Sequence, residues 1–113
     1  MPTVNPREIW QVSLNDTEGH EQRGDRPALI LAVHGQANVC MVIPLTSNQD
    51  TLRFPYSYGI DCSTANGLAC RSVALIYQMR CLTSSRLLRK LGDVETDHYQ
   101  RITILVRNYL NII

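Results

Sequence analysis

Two short apolar runs constrain this chain more than anything else in it. Ala28 to Val33 and Val39 to Leu45 are continuous hydrophobic stretches, separated only by His34-Gly35-Gln36-Ala37-Asn38. Each is too short for an ordinary helix and lacks the polar alternation of a half-exposed strand. Runs of this length joined by a Gly- and Asn-containing turn read as a hairpin of two strands buried on both faces. In a chain of 113 residues the remaining elements must then cover that hairpin, so one core and one domain over 1–113 are expected.

The flanking segments supply the cover. Trp10, Val12 and Leu14 alternate within Glu8 to Leu14, which puts them on one face of a strand. Residues 15–25 are polar and punctuated by Gly19 and Gly24, hence a loop, and one long enough to be a working loop. Ser47 to Asp50 closes the second strand of the hairpin. Phe54 to Ile60, with Pro55 near its start, reads as an edge strand. Asp61 to Arg71 is another loop, and Ser72 to Arg80 a further strand. In that strand Gln78 and Arg80 fall on one face with Ala74 and Ile76. Ile102, Leu105, Val106, Tyr109, Leu110 and Ile113 recur at helical spacing behind Asp93, Glu95 and Asp97, predicting a helix over about 94–111. Strands followed by one terminal helix, in so short a chain, suggest a compact, partly open barrel with a helix packed on it.

Composition narrows the function classes. The net charge is +1, too small for a strongly basic nucleic-acid coat. Of the 11 basic residues, Lys90 is the single lysine. Arginine presents a planar fork that matches phosphate, where lysine is a point charge. No acid lies between Asp61 and Asp93, while Arg71, Arg80, Arg86, Arg89 and Lys90 do, so a local basic surface is expected. Cys40, Cys62, Cys70 and Cys81 form no CxxC pair, and no histidine follows them at zinc spacing, so no metal and no cofactor is expected. Met1 to Trp10 carries Arg7 and Glu8 and no apolar run, and no stretch reaches the length of a membrane helix. The chain is expected in the cytoplasm, away from the membrane.

Four motifs, in order, carry a resemblance. Glu8 to Leu14 runs into Gly19-His20-Glu21-Gln22, Gly24 and Arg26-Pro27. Val42 to Ser47 reads VIPLTS, Ser72 to Arg80 reads SVALIYQMR, and Ser84 to Val94 reads SSRLLRKLGDV. This series resembles the MazF/PemK toxins of bacterial toxin–antitoxin modules over about residues 7–112, and the loop histidine is similar to the PemK branch. The resemblance implies an SH3-like barrel with helices, shared with the CcdB gyrase poison. It implies metal-independent cleavage of single-stranded RNA, usually mRNA, at short sequences. It also implies a homodimer and a cognate antitoxin of the MazE/PemI type that blocks the RNA groove.

The same resemblance assigns residues. Arg26, Thr46 and His20 correspond to catalytic positions; Glu21, Gln22 and Gln78 correspond to RNA-contacting ones, and Arg80, on the strand face of Gln78, and Ser47, beside Thr46, join them as RNA-contact candidates. Their chemistry suits the task. An arginine fork holds phosphate oxygens, a histidine exchanges a proton near neutral pH, and a hydroxyl hydrogen-bonds a phosphate. Each has a plainer reading too: a salt bridge from Arg26 to Asp25 or Glu21, a solvated loop histidine, a threonine that only ends a strand. Trp10 reads as core. Phe54, Tyr56 and Tyr58 offer rings that stack on unpaired bases or line the barrel wall or a dimer interface.

One departure is visible. Tyr77 and Leu75 stand where the PemK branch has an acid and an arginine assigned to catalysis. A phenol cannot replace a carboxylate base at neutral pH. Two other readings therefore stand beside an RNase: a CcdB-like gyrase binder that cuts nothing, and a weakened RNA-binding module.

Overall fold

A computed structural model describes residues 3–14 and 24–111. The expected hairpin is its centre. Strand β2 (Asp25–His34) pairs antiparallel with β3 (Val39–Thr46), with Ala28 opposite Pro44, Leu29 opposite Ile43 and Ile30 opposite Val42. The register shifts between Ile30 and Ala32, which bends the outer end of the ladder. On the other edge of β2 lies β1 (Glu8–Ser13), with Ile9 opposite Leu29 and Val12 opposite Arg26.

The unbroken apolar runs have a simple cause, because the sheet is covered on both faces. Ile9, Leu29, Ile43 and Leu45 point into one buried cluster, with Ile60, Ala74, Ile76, Val94 and Ile102. Trp10, Val12, Leu14, Ala28, Ile30, Cys40 and Val42 point into a second, with Leu82 and Leu87. Trp10 is 5% exposed, as its alternation with Val12 and Leu14 requires.

The second edge of β3 differs from expectation. Residues 72–80 are not one strand. Strand β4 (Ser57–Ile60) forms the outer edge and pairs with β5 (Ser72–Leu75), which pairs with the end of β3, Leu45 opposite Ala74 and Thr46 opposite Val73. A 3-10 turn at Ile76–Gln78 then interrupts the chain. Strand β6 (Arg80–Thr83) resumes pairing with the start of β3, Val42 opposite Arg80 and Val39 opposite Thr83. Moving from Leu45 to Val42 on β3 advances the partner from Ala74 to Arg80, three residues more than an unbroken ladder allows. The 3-10 turn takes up that excess. Gln78 therefore belongs to the turn and Arg80 to a new strand, so the shared strand face predicted for them does not exist.

Strand β7 (Leu87–Asp93), which periodicity gave no sign of, pairs with β1 and forms the far edge. The order β4-β5-β3-β2-β1-β7 leaves β4 and β7 unpaired with each other among the described residues, so the mainly antiparallel sheet is open. The loop after β4 is locked onto β7. The Asp93 N–H bonds to the Ala65 carbonyl at 2.9 Å, and Gly67 adopts φ +70° with no room for a Cβ against the Leu91 carbonyl oxygen.

Helix α1 (Thr96–Leu110) follows, close to the predicted span. Ile102, with Tyr99, Leu105 and Val106 beside it, packs on the first cluster. Its start is anchored by Glu95, whose carboxylate accepts from Ser63 Oγ at 2.6 Å and Asn66 Nδ2 at 3.2 Å. It ends at Asn111 in the left-handed region, whose N–H satisfies the Arg107 and Asn108 carbonyls. His98, near the start of α1, is hydrogen-bonded through Nδ1 to the Tyr58 hydroxyl at 2.7 Å. No helix among the described residues is long and apolar enough to cross a membrane.

Candidate functional site

The hairpin brings two of the expected residues to one end of the sheet. Continuing the Ala28–Pro44 register by two positions sets Arg26 across from Thr46. Residues opposite each other in an antiparallel pair project from the same face. Arg26 is half-buried near the start of β2 and pairs with Val12 on its other side. Thr46 ends β3 and is 5% exposed. Its Oγ1 accepts a hydrogen bond from the Asn48 N–H at 3.2 Å, which fixes the hydroxyl rotamer. Ser47, next in the chain, is exposed.

The turn after Thr46 is held from outside. Gln49 Nε2 donates to the Ser47 carbonyl at 3.2 Å and to the Arg71 carbonyl at 2.9 Å. Arg71 Nε donates back to Gln49 Oε1 at 3.1 Å, and its guanidinium pairs with Asp61. This tie joins the exit of β3 to the entry of β5. It was not visible in the sequence, since Gln49, Arg71 and Asp61 are far apart along the chain and none belongs to a local motif.

His20, Glu21 and Gln22 lie outside the described residues. What flanks them is described: the Leu14 N–H bonds to the Gly24 carbonyl at 3.0 Å, and Gly24 takes φ +80°. Leu14 and Gly24, the described residues on either side, are thus held together, and Gly24 is two residues from Arg26.

Gln78 and Arg80, although on different elements, still converge. Both are half-buried and line a cavity of about 340 Å³ with Tyr77, Met79 and Cys81. Arg80 pairs with Val42, which shares a strand face with Thr46 four residues further on, about 13 Å along β3. Arg26, Thr46 and Arg80 therefore belong to one face of the sheet, the one that carries the Trp10 cluster.

The departures from the PemK pattern also have places. Leu75 is fully buried at the end of β5, where an arginine would need a buried partner. Tyr77 sits in the 3-10 turn, its ring edge-on to Phe54 at 6.2 Å between centroids. Neither position presents a carboxylate to the site.

Cys40 is a core thiol, 2% exposed, and burial raises its pKa, with Cys81 nearby adding to the effect. Cys62, Cys70 and Cys81 are exposed free thiols. Among the described residues no group of three or more His, Cys, Asp or Glu side chains converges closely enough to hold a metal ion. What the arrangement offers is a cation and a fixed hydroxyl on one sheet face, with the Gln78–Arg80 cavity further along the same sheet. That set suits the recognition and strain of a phosphodiester.

Comparison with known proteins bears on the family and the fold. A family described as PemK-like, MazF-like toxin of type II toxin–antitoxin system matches residues 5–110. Endoribonuclease MazF9 of Mycobacterium tuberculosis is 29% identical over 114 residues, spanning 93% of this chain and 94% of that protein. Endoribonuclease PemK of Escherichia coli is 45% identical over 49 residues, 41% of this chain and 37% of that protein. Among solved structures, MazF of Deinococcus radiodurans superposes with a TM-score of 0.83 at 20% identity, covering 99% of this chain and 100% of that one. A mycobacterial endoribonuclease in complex with its cognate antitoxin gives 0.75 at 16% identity, covering 98% of each. These two share the fold.

Proposed function

This chain belongs to the PemK-like, MazF-like toxins of type II toxin–antitoxin systems, and from that membership we infer how it acts. It is the toxin of such a module, a single-domain endoribonuclease that cuts single-stranded mRNA in the cytoplasm and arrests growth. A MazE- or PemI-type antitoxin holds it in check, and it works as a homodimer.

The cut is metal-independent. The ribose 2′-OH attacks the adjacent phosphate, the 5′ oxygen of the next nucleotide leaves, and the products carry a 2′,3′-cyclic phosphate and a 5′-OH. Arg26 holds the phosphate oxygens as charge builds on them. The Thr46 hydroxyl, already oriented by Asn48, donates to the same phosphate. His20 exchanges a proton in the reaction. Glu21, Gln22, Ser47, Gln78 and Arg80 hold the RNA on either side of the cut.

One observation supports the proposal: Arg26 and Thr46 each lie two positions beyond the last β2–β3 pair, Ala28–Pro44, and Arg26 is two residues from Gly24, which the Leu14 N–H ties at the root of the segment that bears His20, Glu21 and Gln22. The endoribonuclease relatives favour cutting over gyrase binding without cutting. Purified protein incubated with a long single-stranded RNA in EDTA tests the reading. Cleavage is expected. Intact RNA together with inhibition of gyrase supercoiling contradicts it, and so does RNA binding without any cut.

A further inference from the structure

Tyr77 has two neighbours of interest. On one side it lines the cavity that Gln78 and Arg80 share. On the other its ring meets Phe54 edge-on, at an interplanar angle of 71°. Phe54 is 42% exposed, and the Arg53 guanidinium carbon lies 4.9 Å from its ring centroid.

Phe54 is held in this exposed position by specific contacts. Its N–H bonds to the Thr51 carbonyl at 3.1 Å and its carbonyl accepts from Ser57 Oγ at 2.7 Å. Pro55 fixes φ on its C-terminal side. Tyr56 follows in the left-handed region at φ +61°, a conformation that side chains other than glycine seldom adopt. That strain persists because the surroundings impose it: the Ile76 N–H bonds to the Tyr56 carbonyl at 3.0 Å, and the Tyr56 ring packs edge-on to Tyr109 at 5.0 Å. Phe54 precedes β4, whose Ser57 is opposite Leu75, so its ring stands on the side of the 3-10 turn that carries Tyr77 and Gln78 rather than at the Thr46–Val73 end of β5.

We propose that Phe54, beside Tyr77 and with the Arg53 guanidinium over one ring face, offers its other face as a stacking platform for one unpaired base of the RNA. This rests on the RNase reading above and extends its substrate path beyond Gln78. Aromatic side chains take bases by their π faces with little regard to base identity, and an arginine stacked on the ring adds to the attraction. A protein partner would also accept exposed rings. The cation on the ring and the adjoining Gln78–Arg80 cavity favour a polyanion with flat bases.

The test is steady-state cleavage of a mapped single-stranded RNA by wild type, Phe54→Leu and Phe54→Trp, with the mass of each protein measured by light scattering. Phe54→Leu keeps apolar bulk and removes the π face. Its KM should rise about tenfold, with kcat within twofold and the mass unchanged, and Phe54→Trp should restore KM. Independently of any variant's folding, an abasic nucleotide at one position beside the cut should raise the wild-type KM by a similar factor. That RNA should be handled no worse by Phe54→Leu than by wild type. Cleavage by wild type with unaltered KM in Phe54→Leu, or with no abasic position that matters, overturns the platform and leaves the RNase reading intact. A lower mass for Phe54→Leu overturns it by assigning the ring to contact between copies. Failure of wild type to cut any RNA removes the RNase reading and the platform together.

Discussion

Arg26 and Thr46 each lie two positions beyond the Ala28–Pro44 pair that ends the β2–β3 ladder. The two arrive there by different routes. Arg26 follows a polar, glycine-bearing segment, and Thr46 ends a buried strand whose exit is tied down through Asn48 and Gln49. On the proposed reading, this half-buried cation and nearly buried hydroxyl on one sheet face hold the phosphodiester.

Arg26→Ala should abolish RNA cleavage and growth arrest and leave the fold in place. Loss of a positioned donor to transition-state charge typically costs about 10²–10³ in rate. The measurement is single-turnover cleavage beside a thermal melt. Wild-type rates in a folded Arg26→Ala protein would remove the residue from the mechanism.

Thr46→Val preserves shape and removes only the hydroxyl. The Asn48 N–H loses its acceptor, so stability should fall by about 1 kcal/mol. Turnover should fall far more than that loss explains, nearly as far as in Arg26→Ala. A variant that melts early yet cuts at the normal rate when folded would make Thr46 a turn residue and nothing more. Melting temperature and turnover on one preparation separate the two outcomes.

Glu8 gives the fold a pH dependence whose sign follows from its contacts. The residue is 6% exposed. Burial alone pushes its carboxyl up, but hydrogen bonds from Trp10 Nε1 at 2.9 Å and from the Asn5 N–H and side chain, with Lys90 at 3.3 Å, outweigh burial and hold it below the ordinary value of 4.5. A carboxyl whose pKa is depressed in the folded state contributes stability above its unfolded value, and that contribution is lost as the pH falls through the folded value. Glu8→Gln should therefore cost roughly 1–2 kcal/mol at pH 7. The difference from wild type should shrink below pH 4.5. Paired thermal melts at pH 7 and pH 3.5 check this, and a gap that stays constant or widens in acid would contradict it.

How much of this was legible in the sequence depended on what each residue does locally. The β2–β3 hairpin announced itself because both faces of its inner part are buried, so Ala28–Ile30 and Val42–Leu45 had to be apolar, although the runs extend into Ala32 and Val33, which are exposed. Helix α1 was legible from the spacing of Ile102, Leu105 and Val106. Strand β7 was not, since only Leu87 of its seven residues is buried, and Leu88, Arg89 and Lys90 are exposed. The break between β5 and β6 was hidden for the opposite reason. Ile76 is fully buried, so the 3-10 turn opens on an apolar residue that continues the run of β5, and it carries no glycine or proline to mark it. In the candidate site, Arg26 and Thr46 were readable because each lies within a contiguous motif. The Gln49–Arg71–Asp61 tie and the Phe54–Tyr77 contact were not, because partners distant in sequence leave no local pattern.

The central claim is that the nucleophile is the RNA's own 2′-hydroxyl, served by Arg26, Thr46 and His20. An RNA bearing a single 2′-deoxy sugar at the mapped cleavage step, incubated with wild-type protein in EDTA beside the all-ribose RNA, tests it most directly. The account predicts that the ribose strand is cut, leaving a 2′,3′-cyclic phosphate and a 5′-OH. The deoxy strand should stay whole while still competing for binding through its phosphates and bases. Cutting of the deoxy strand at that step, or cutting of the ribose strand only when Mg²⁺ is restored, would contradict it.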